Sequence, residues 1–140
     1  MKTFSKLINT VFILTVTVFA SKAQAPTNQD CPNAIPICNT TYSTVISYSG
    51  TGNIPNEINS GSSCLLSGER NDVWYTFTTP FFGNLNFTIT PNNPADDYDW
   101  AVYNLTTATC ADIFTNPSIE VSCNYAPNLG CNGTTGPNNQ

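Results

Sequence analysis

Residues 72–105 read DVWYTFTTPFFGNLNFTITPNNPADDYDWAVYNL, and this stretch decides the fold. Apolar side chains recur at every second position in its first two runs: Val73, Tyr75, Phe77 and Leu85, Phe87, Ile89. This period of two indicates β-strands. A third run, residues 98–105, is apolar on both faces, as is typical of a central strand buried on both sides. Prolines and turn-forming residues separate the runs, so the sequence predicts three antiparallel strands in series.

The first 24 residues have the three parts of a secretory signal peptide. Lys2 and Lys6 form a charged start, and residues 7–20 form an apolar core too short for a membrane span. We expect cleavage after Ala23 or Gln24 and no membrane span in the mature chain. Residues 25–40 then form an N-terminal linker and cysteine turn, and residues 41–140 form the β-domain. The predicted location is secreted or at the cell surface.

Removing the signal peptide changes the charge of the chain. The whole chain carries a formal net charge of −5, but three of its four basic residues lie in residues 1–24. Nine acidic residues then remain against Arg70 alone, a formal charge of −8 (1 − 9). A single arginine cannot form a basic patch, which excludes nucleic acid and anionic membranes as partners. The acidity favours solubility outside the cell.

Two further strands complete the predicted fold. Residues 41–49 are β-branched and aromatic, and residues 119–124 form a short run near the end, which gives five strands in all. Helix signals are almost absent. An antiparallel, jelly-roll-like β-sandwich is the consistent all-β architecture, yet a sandwich usually has about seven strands. We therefore expect a domain that is incomplete at its C-terminus.

All six cysteines lie in the mature chain: Cys31, Cys38, Cys64, Cys110, Cys123 and Cys131. In an exported chain of about 115 residues they predict disulfides rather than free thiols or a zinc site. Six cysteines allow 15 pairings. The preferred pairs are Cys110 with Cys123, which closes one loop, and Cys38 with Cys64, which joins the N-terminal segment to the core.

Three carboxylates, Asp96, Asp97 and Asp99, stand just before the third run. A loop rich in oxygen ligands suits calcium, the one cofactor that the sequence suggests. The glycine and distal glutamate of an EF-hand loop are missing. The alternative is that these aspartates form a turn by accepting hydrogen bonds from backbone amides.

A second polar cluster, Glu69 and Arg70 with Asp72, precedes Trp74. These residues and Trp100 predict a ligand-facing site with aromatic platforms, of the kind that sugars bind. The alternative is an ion pair from Arg70 beside a core tryptophan. Carboxylate pairs for glycoside hydrolysis could come from Glu57, Glu69, Asp97 or Glu120. Because the chain has no histidine and no GxSxG turn, we predict that it is not an enzyme.

The order of these motifs resembles a known family. DCPNAIPIC, ERNDVWYTFTTPFFGNLNFTITP, DDYDWAVYNL and VSCNYAPNLGCNGTTGP are similar to the N-terminal β-domain of large secreted surface proteins of gliding-type Bacteroidetes bacteria. VWYTFT, LNFTI and DDYDWAVYNL resemble, more distantly, the bacterial pre-peptidase C-terminal sandwich. DYDWAVY is also similar to the calcium-bearing strand of CUB domains.

The resemblance has implications for function. Family members continue past CNGTTGP with further strands, repeats and a sorting domain for type IX secretion, so it implies that this chain is a fragment. It also implies adhesion or contact with an extracellular polymer, carbohydrate or surface ligand. The leading hypothesis is thus an exported, non-catalytic binding module. The alternative is an accessory domain of a secreted peptidase or glycosidase.

Overall fold

The structure is a computed structural model that describes residue 24 and residues 27–66, 68–79, 83–125 and 133–137. Residues 1–23 of the predicted signal peptide lie outside the described residues. A 3₁₀ turn at Cys31–Asn33 precedes the elements, which are listed in chain order: β1 (Ile35–Pro36), β2 (Tyr75–Thr76), β3 (Trp100–Tyr103), α1 (Cys110–Thr115), a second 3₁₀ turn (Pro117–Ile119) and β4 (Glu120–Asn124). The described part is β-rich, with two small sheets linked by irregular backbone. We find in it no helix with the length and apolar character needed to cross a bilayer.

The sheet of β3 and β4 confirms two of the predicted strands in part. The strands pair antiparallel, with Trp100 opposite Asn124 and Ala101 opposite Cys123, and the register shifts between Val102 and Tyr103. Only Trp100 is fully buried on β3. Within the described residues β3 has one partner, so the prediction of a central strand buried on both sides is wrong.

The other sheet joins β1 to β2, and the pairing is parallel. The backbone N–H groups of Ile35 and Ile37 donate to Trp74 and Thr76 at 2.8 Å. Pro36, between them, has no N–H and fits a strand that pairs on one side only. The prediction of three antiparallel strands in series is therefore wrong, because β2 pairs with the N-terminal segment and β3 with β4.

Two predicted strands are not formed as strands. Residues 41–49 have no strand assignment, and Val45 is 88 % exposed. Of residues 85–90, only Ile89 pairs, through two hydrogen bonds with Thr135 of 2.8 and 2.9 Å. Strand propensity describes how well a side chain fits a half-buried pleated surface. These segments lack such a surface in the described part of the chain, so a full sandwich is not observed.

Helix α1 is the one α-helix in the described part of the chain, in a segment where the sequence predicted no helix. The Asp112 carboxylate accepts hydrogen bonds from the backbone N–H of Thr109, at 2.7 Å, and from its hydroxyl, at 2.8 Å. These bonds lower the pKa of Asp112 and fix the first turn of the helix. The helix ends at Thr115, and Pro117 just beyond it has no backbone N–H with which to continue the α-helical hydrogen bonds. The helix directs Ile113, its one buried side chain, into the core.

The main core forms around a disulfide between Cys31 and Cys110. Ile58 and Ile113 are buried with Cys31, and Trp74 and Tyr103 pack against them. A second disulfide joins Cys64 to Cys123. Both preferred sequence-based pairings are wrong, because α1 brings Cys110 to the N-terminal turn and β4 brings Cys123 to the loop that contains Cys64. Cys38 is an exposed free thiol, and Cys131 lies outside the described residues.

Candidate functional site: a buried carboxylate cluster and an exposed tyrosine surface

Asp30 is the only large side chain with an exposure below 2 % among the described residues, and its exposure is 0 %. Its carboxylate accepts hydrogen bonds from the backbone N–H groups of Asn53, at 2.8 Å, and Ile54, at 2.6 Å. Thr27 donates to it through both its backbone N–H and its hydroxyl. Asp30 thereby fastens the loop at residues 52–54 to the N-terminal turn.

Gly52 makes room for the Asp30 carboxylate. A Cβ atom at position 52 would lie 2.5 Å from Asp30 Oδ1, and the φ angle there is +70°, which side-chain-bearing residues rarely adopt. Burial by itself would raise the pKa of Asp30, but the hydrogen bonds from Thr27, Ile54 and Asn53 outweigh it and hold that pKa below its ordinary value. Asp30 is thus held as an ion with its partners around it.

Glu57 and Glu69 extend the cluster toward the core. The Glu57 carboxylate accepts from the backbone N–H of Cys31 at 2.9 and 3.2 Å. The backbone N–H of Glu57 in turn donates to Glu69 Oε2 at 3.0 Å. Both side chains are buried, so each carboxylate connects its own loop to a distant backbone amide.

Glu69 and Asp72 are the members of the cluster with unpaired atoms. Glu69 Oε1, both carboxylate oxygens of Asp72 and the indole N–H of Trp74 are buried without a hydrogen bond. Asp72 lies beside the Trp74 indole and the Glu69 carboxyl group, but none of these contacts has the geometry of a hydrogen bond. Buried polar atoms of this kind are uncommon in native proteins.

Burial raises the pKa of three acids in the cluster. It raises that of Glu69 to about 7, and the neighbouring Asp72 and Glu57 carboxyl groups add to the effect. Burial also raises the pKa of Glu57, and the charges of Asp30 and Asp72 raise it further, although the hydrogen bond from the Cys31 N–H lowers it. Burial raises the pKa of Asp72 as well. Desolvation and like charge act in the same direction here.

The structure separates the residues of the predicted ligand site. Glu69 is buried, whereas Arg70 is exposed and forms no ion pair with any described acid. Trp74 packs against the core and lies 5.8 Å from the Tyr103 ring. Trp100 is buried, contacts Phe87 edge-on and donates to Thr135 Oγ1 at 3.1 Å. As placed, both tryptophans are core residues, and the ion pair that the alternative gave Arg70 is not found among the described residues.

The three aspartates proposed for calcium, Asp96, Asp97 and Asp99, are exposed. Asp96 belongs to a turn in which its N–H donates to the Asn93 carbonyl at 2.9 Å and its carboxylate accepts from the Asn93 side chain at 3.2 Å. Its carbonyl accepts from the Gly133 N–H at 3.0 Å. Asp96 thus lies in a turn, but it is the Asn93 side chain that accepts from a backbone amide, that of Ala95, at 3.1 Å. Calcium binding at the three aspartates stays a prediction.

One group of three metal-ligating side chains occurs in the described part of the chain, with ligand atoms within 4.8 Å of one another: Cys64, Glu120 and Cys123. The two sulfur atoms are joined in the disulfide, so they do not provide thiolate ligands. Glu120 accepts from the Ser63 hydroxyl at 2.5 Å and the Cys64 N–H at 3.2 Å. Burial raises the pKa of the neighbouring Tyr103 to about 12. Glu120 therefore holds the Cys64 loop against β4.

Unlike the buried carboxylates, a group of four tyrosines lies at or near the protein surface. We call Tyr42, Tyr48, Tyr75 and Tyr98 the tyrosine surface. Tyr42 is 47 % exposed, Tyr75 38 % and Tyr98 45 %, and the rings of Tyr42 and Tyr75 meet edge-on at 5.4 Å. Partial burial raises the pKa of Tyr75, and the other three tyrosines are close enough to contribute. These residues, which are far apart in the sequence, thus lie near one another, and the rings of Tyr42 and Tyr75 are in contact.

Sequence reasoning missed both Asp30 and this surface. The alternation in residues 73–77 did contain a signal for the tyrosines, because Trp74 faces the core while Tyr75 and Phe77 are exposed. Comparison of the chain with protein-family models, curated proteins and solved structures finds no match.

Proposed function

We propose that the chain is an exported, non-catalytic module that binds an extracellular polymer through the tyrosine surface. The observation that carries this proposal is the contact between the exposed rings of Tyr42 and Tyr75, from residues 42–48 and β2, with the exposed Tyr98 near Tyr75. The two disulfides support an oxidising environment outside the cytoplasm.

Tyrosine suits a polymer-binding surface for physical reasons. Its flat ring offers a large apolar contact, its hydroxyl group can exchange hydrogen bonds with a polar ligand, and it loses little conformational entropy when it binds. Sugar rings have apolar faces edged by hydroxyl groups and match such rings. The formal charge of −8 on residues 25–140 disfavours polyanions, so a neutral polysaccharide is the proposed ligand.

The buried carboxylates support the non-catalytic part of the proposal. Asp30, Glu57 and Glu120 are each occupied by backbone amides. A general acid or base has to reach a substrate proton. As placed, these groups fasten loops instead. An accessory domain of a secreted hydrolase would use the same tyrosine surface to hold the enzyme on its substrate.

We expect residues 25–140, oxidised, to be retained by at least one insoluble neutral polysaccharide in a panel that includes cellulose, chitin and xylan. The double variant Tyr42→Ala, Tyr75→Ala should bind about tenfold more weakly, because losing two aromatic contacts with the ligand at about 0.7 kcal/mol each costs about 1.4 kcal/mol. The measurement is a depletion isotherm, read as bound against free protein.

Phe114→Ala is the matched control. Phe114 is a 42 % exposed aromatic side chain on α1, outside the tyrosine surface. Its replacement should leave the isotherm unchanged. Retention by no polymer, or an equal loss in the Phe114 variant, would contradict the proposal.

A further inference from the structure

The loop at residues 69–72 brings two carboxyl groups together in a buried site. Glu69 is 8 % exposed, and its Oε1 has no hydrogen bond. Both oxygens of Asp72 are buried and equally unpaired. Because Glu69 Oε2 already accepts from the Glu57 N–H, the orphan Oε1 is the atom free to interact with Asp72.

Two adjacent carboxylates cannot both remain ionised in such a site without compensation. Compensation could come from a basic side chain, a metal ion or a proton. Arg70 is exposed and forms no ion pair with the described acids. A shared metal ion would favour ligand atoms that lie close together. The ligand atoms of Glu57, Glu69 and Asp72 do not all lie within 4.8 Å of one another.

We propose that Glu69 and Asp72 share one proton, and that loss of this proton at alkaline pH loosens the contact between the 57–72 loop and the N-terminal turn. Glu69 is the protonated partner. Its Oε1–H faces the Asp72 carboxylate, while Oε2 keeps the bond from the Glu57 amide.

The surroundings make the pair sensitive to pH. The charged groups near the pair are Glu57, which interacts electrostatically with both Glu69 and Asp72, and Asp30, which interacts with Glu57. The Trp74 indole and Gln29 lie against Asp72 and are uncharged. A second negative charge would therefore meet only like charges and neutral dipoles.

The direction of the pH dependence follows from the raised pKa. The folded state holds the proton of Glu69 up to about pH 7, whereas the unfolded chain releases it near pH 4.3. The folded state thus binds more protons between these values, so stability falls as pH rises through this window and is constant above it. We expect the melting temperature of oxidised residues 25–140 to fall by at least about 4 °C between pH 5 and pH 8.

Glu69→Gln is the decisive variant. Its amide can donate to Asp72 and accept from the Glu57 N–H, as protonated glutamic acid does. We expect this variant to lose most of the decrease between pH 5 and pH 8 and to melt above the parent at pH 8. Asp97→Asn removes one exposed charge away from the pair and should keep the parent's decrease. A Glu69→Gln variant with the parent's pH dependence would overturn the proposal.

Two further measurements separate a proton from a metal ion, and the first of them needs no variant. The infrared carbonyl band of a protonated carboxylic acid should be present in the parent at pH 6 and absent above pH 8. The difference in melting temperature between the parent and Glu69→Gln at pH 8 should be the same with calcium chloride and with a chelator. A missing band, or a calcium-dependent rise that Glu69→Gln abolishes, would overturn proton sharing.

Discussion

Replacing Cys31 and Cys110 together by serine is expected to lower the free energy of unfolding by about 4 kcal/mol. The bridge joins positions 79 residues apart, and its loss gives that long loop its full freedom in the unfolded chain. It also sits in the main core with Ile58 and Ile113. Small domains have only about 5–15 kcal/mol of stability in total. The double variant should be close to unfolded at 37 °C.

The measurement is equilibrium unfolding in guanidinium chloride without reductant. Cys38→Ser is the matched control, because Cys38 is exposed and unbridged, and its replacement should change stability by less than about 0.5 kcal/mol. A larger loss in the Cys38 variant than in the Cys31, Cys110 variant would mean that the cysteines pair differently from the structure.

Asp30→Ala is expected to cost about 3 kcal/mol or more. The change removes the acceptor that the part-buried amides of Asn53 and Ile54 share, and each buried amide left without a partner costs about 1–3 kcal/mol. Gly52→Ala should have a comparable effect although it removes no hydrogen bond, because its Cβ would displace the Asp30 carboxylate and adopt a strained φ angle. Thermal and chemical unfolding of both variants would measure these losses.

The lowered pKa of Asp30 adds a pH signature. A carboxyl group with a depressed pKa stabilises the fold above its unfolded value, near pH 4, and this contribution is lost as pH falls through the folded value. Acid unfolding should therefore be shallower in Asp30→Asn than in the parent. Asp96→Ala, an exposed turn aspartate, should stay within about 0.5 kcal/mol of the parent. Equal losses in Asp30→Ala and Asp96→Ala would contradict the role given to Asp30.

The sequence predicted the strands whose own residues favour the strand conformation. β3 and β4 follow from dense runs of β-branched and aromatic residues near Trp100 and Val121. The parallel pairing of β1 with β2 has no local signal, since residues 35 and 75 are joined by a long irregular segment. The helix start was visible as Thr109 followed three residues later by Asp112, a capping pattern. This pattern did not lead to a predicted helix, because the segment has few of the charged residues that exposed helices usually carry.

The site was only partly visible in the sequence for a similar reason. Glu69, Asp72 and Trp74 are neighbours along the chain and were grouped, but as a ligand-facing site rather than a buried cluster. Asp30 and Glu57 reach the same core through hydrogen bonds that span 23 and 26 residues, and no pattern in one sequence records such distances. Acidic residues are also rarely buried, so composition favours the surface for all of them.

The central claim is that an oxidised chain fastens its N-terminal turn, with Asp30 and Cys31, to helix α1. Mapping the disulfides of the secreted Cys38→Ser variant tests it most directly. Digestion after glutamate, without reduction, separates the relevant cysteines at Glu57, Glu69 and Glu120. The prediction is that the peptide ending at Glu57 is linked to peptide 70–120, and peptide 58–69 to peptide 121–140. A link between peptides 70–120 and 121–140 would contradict it.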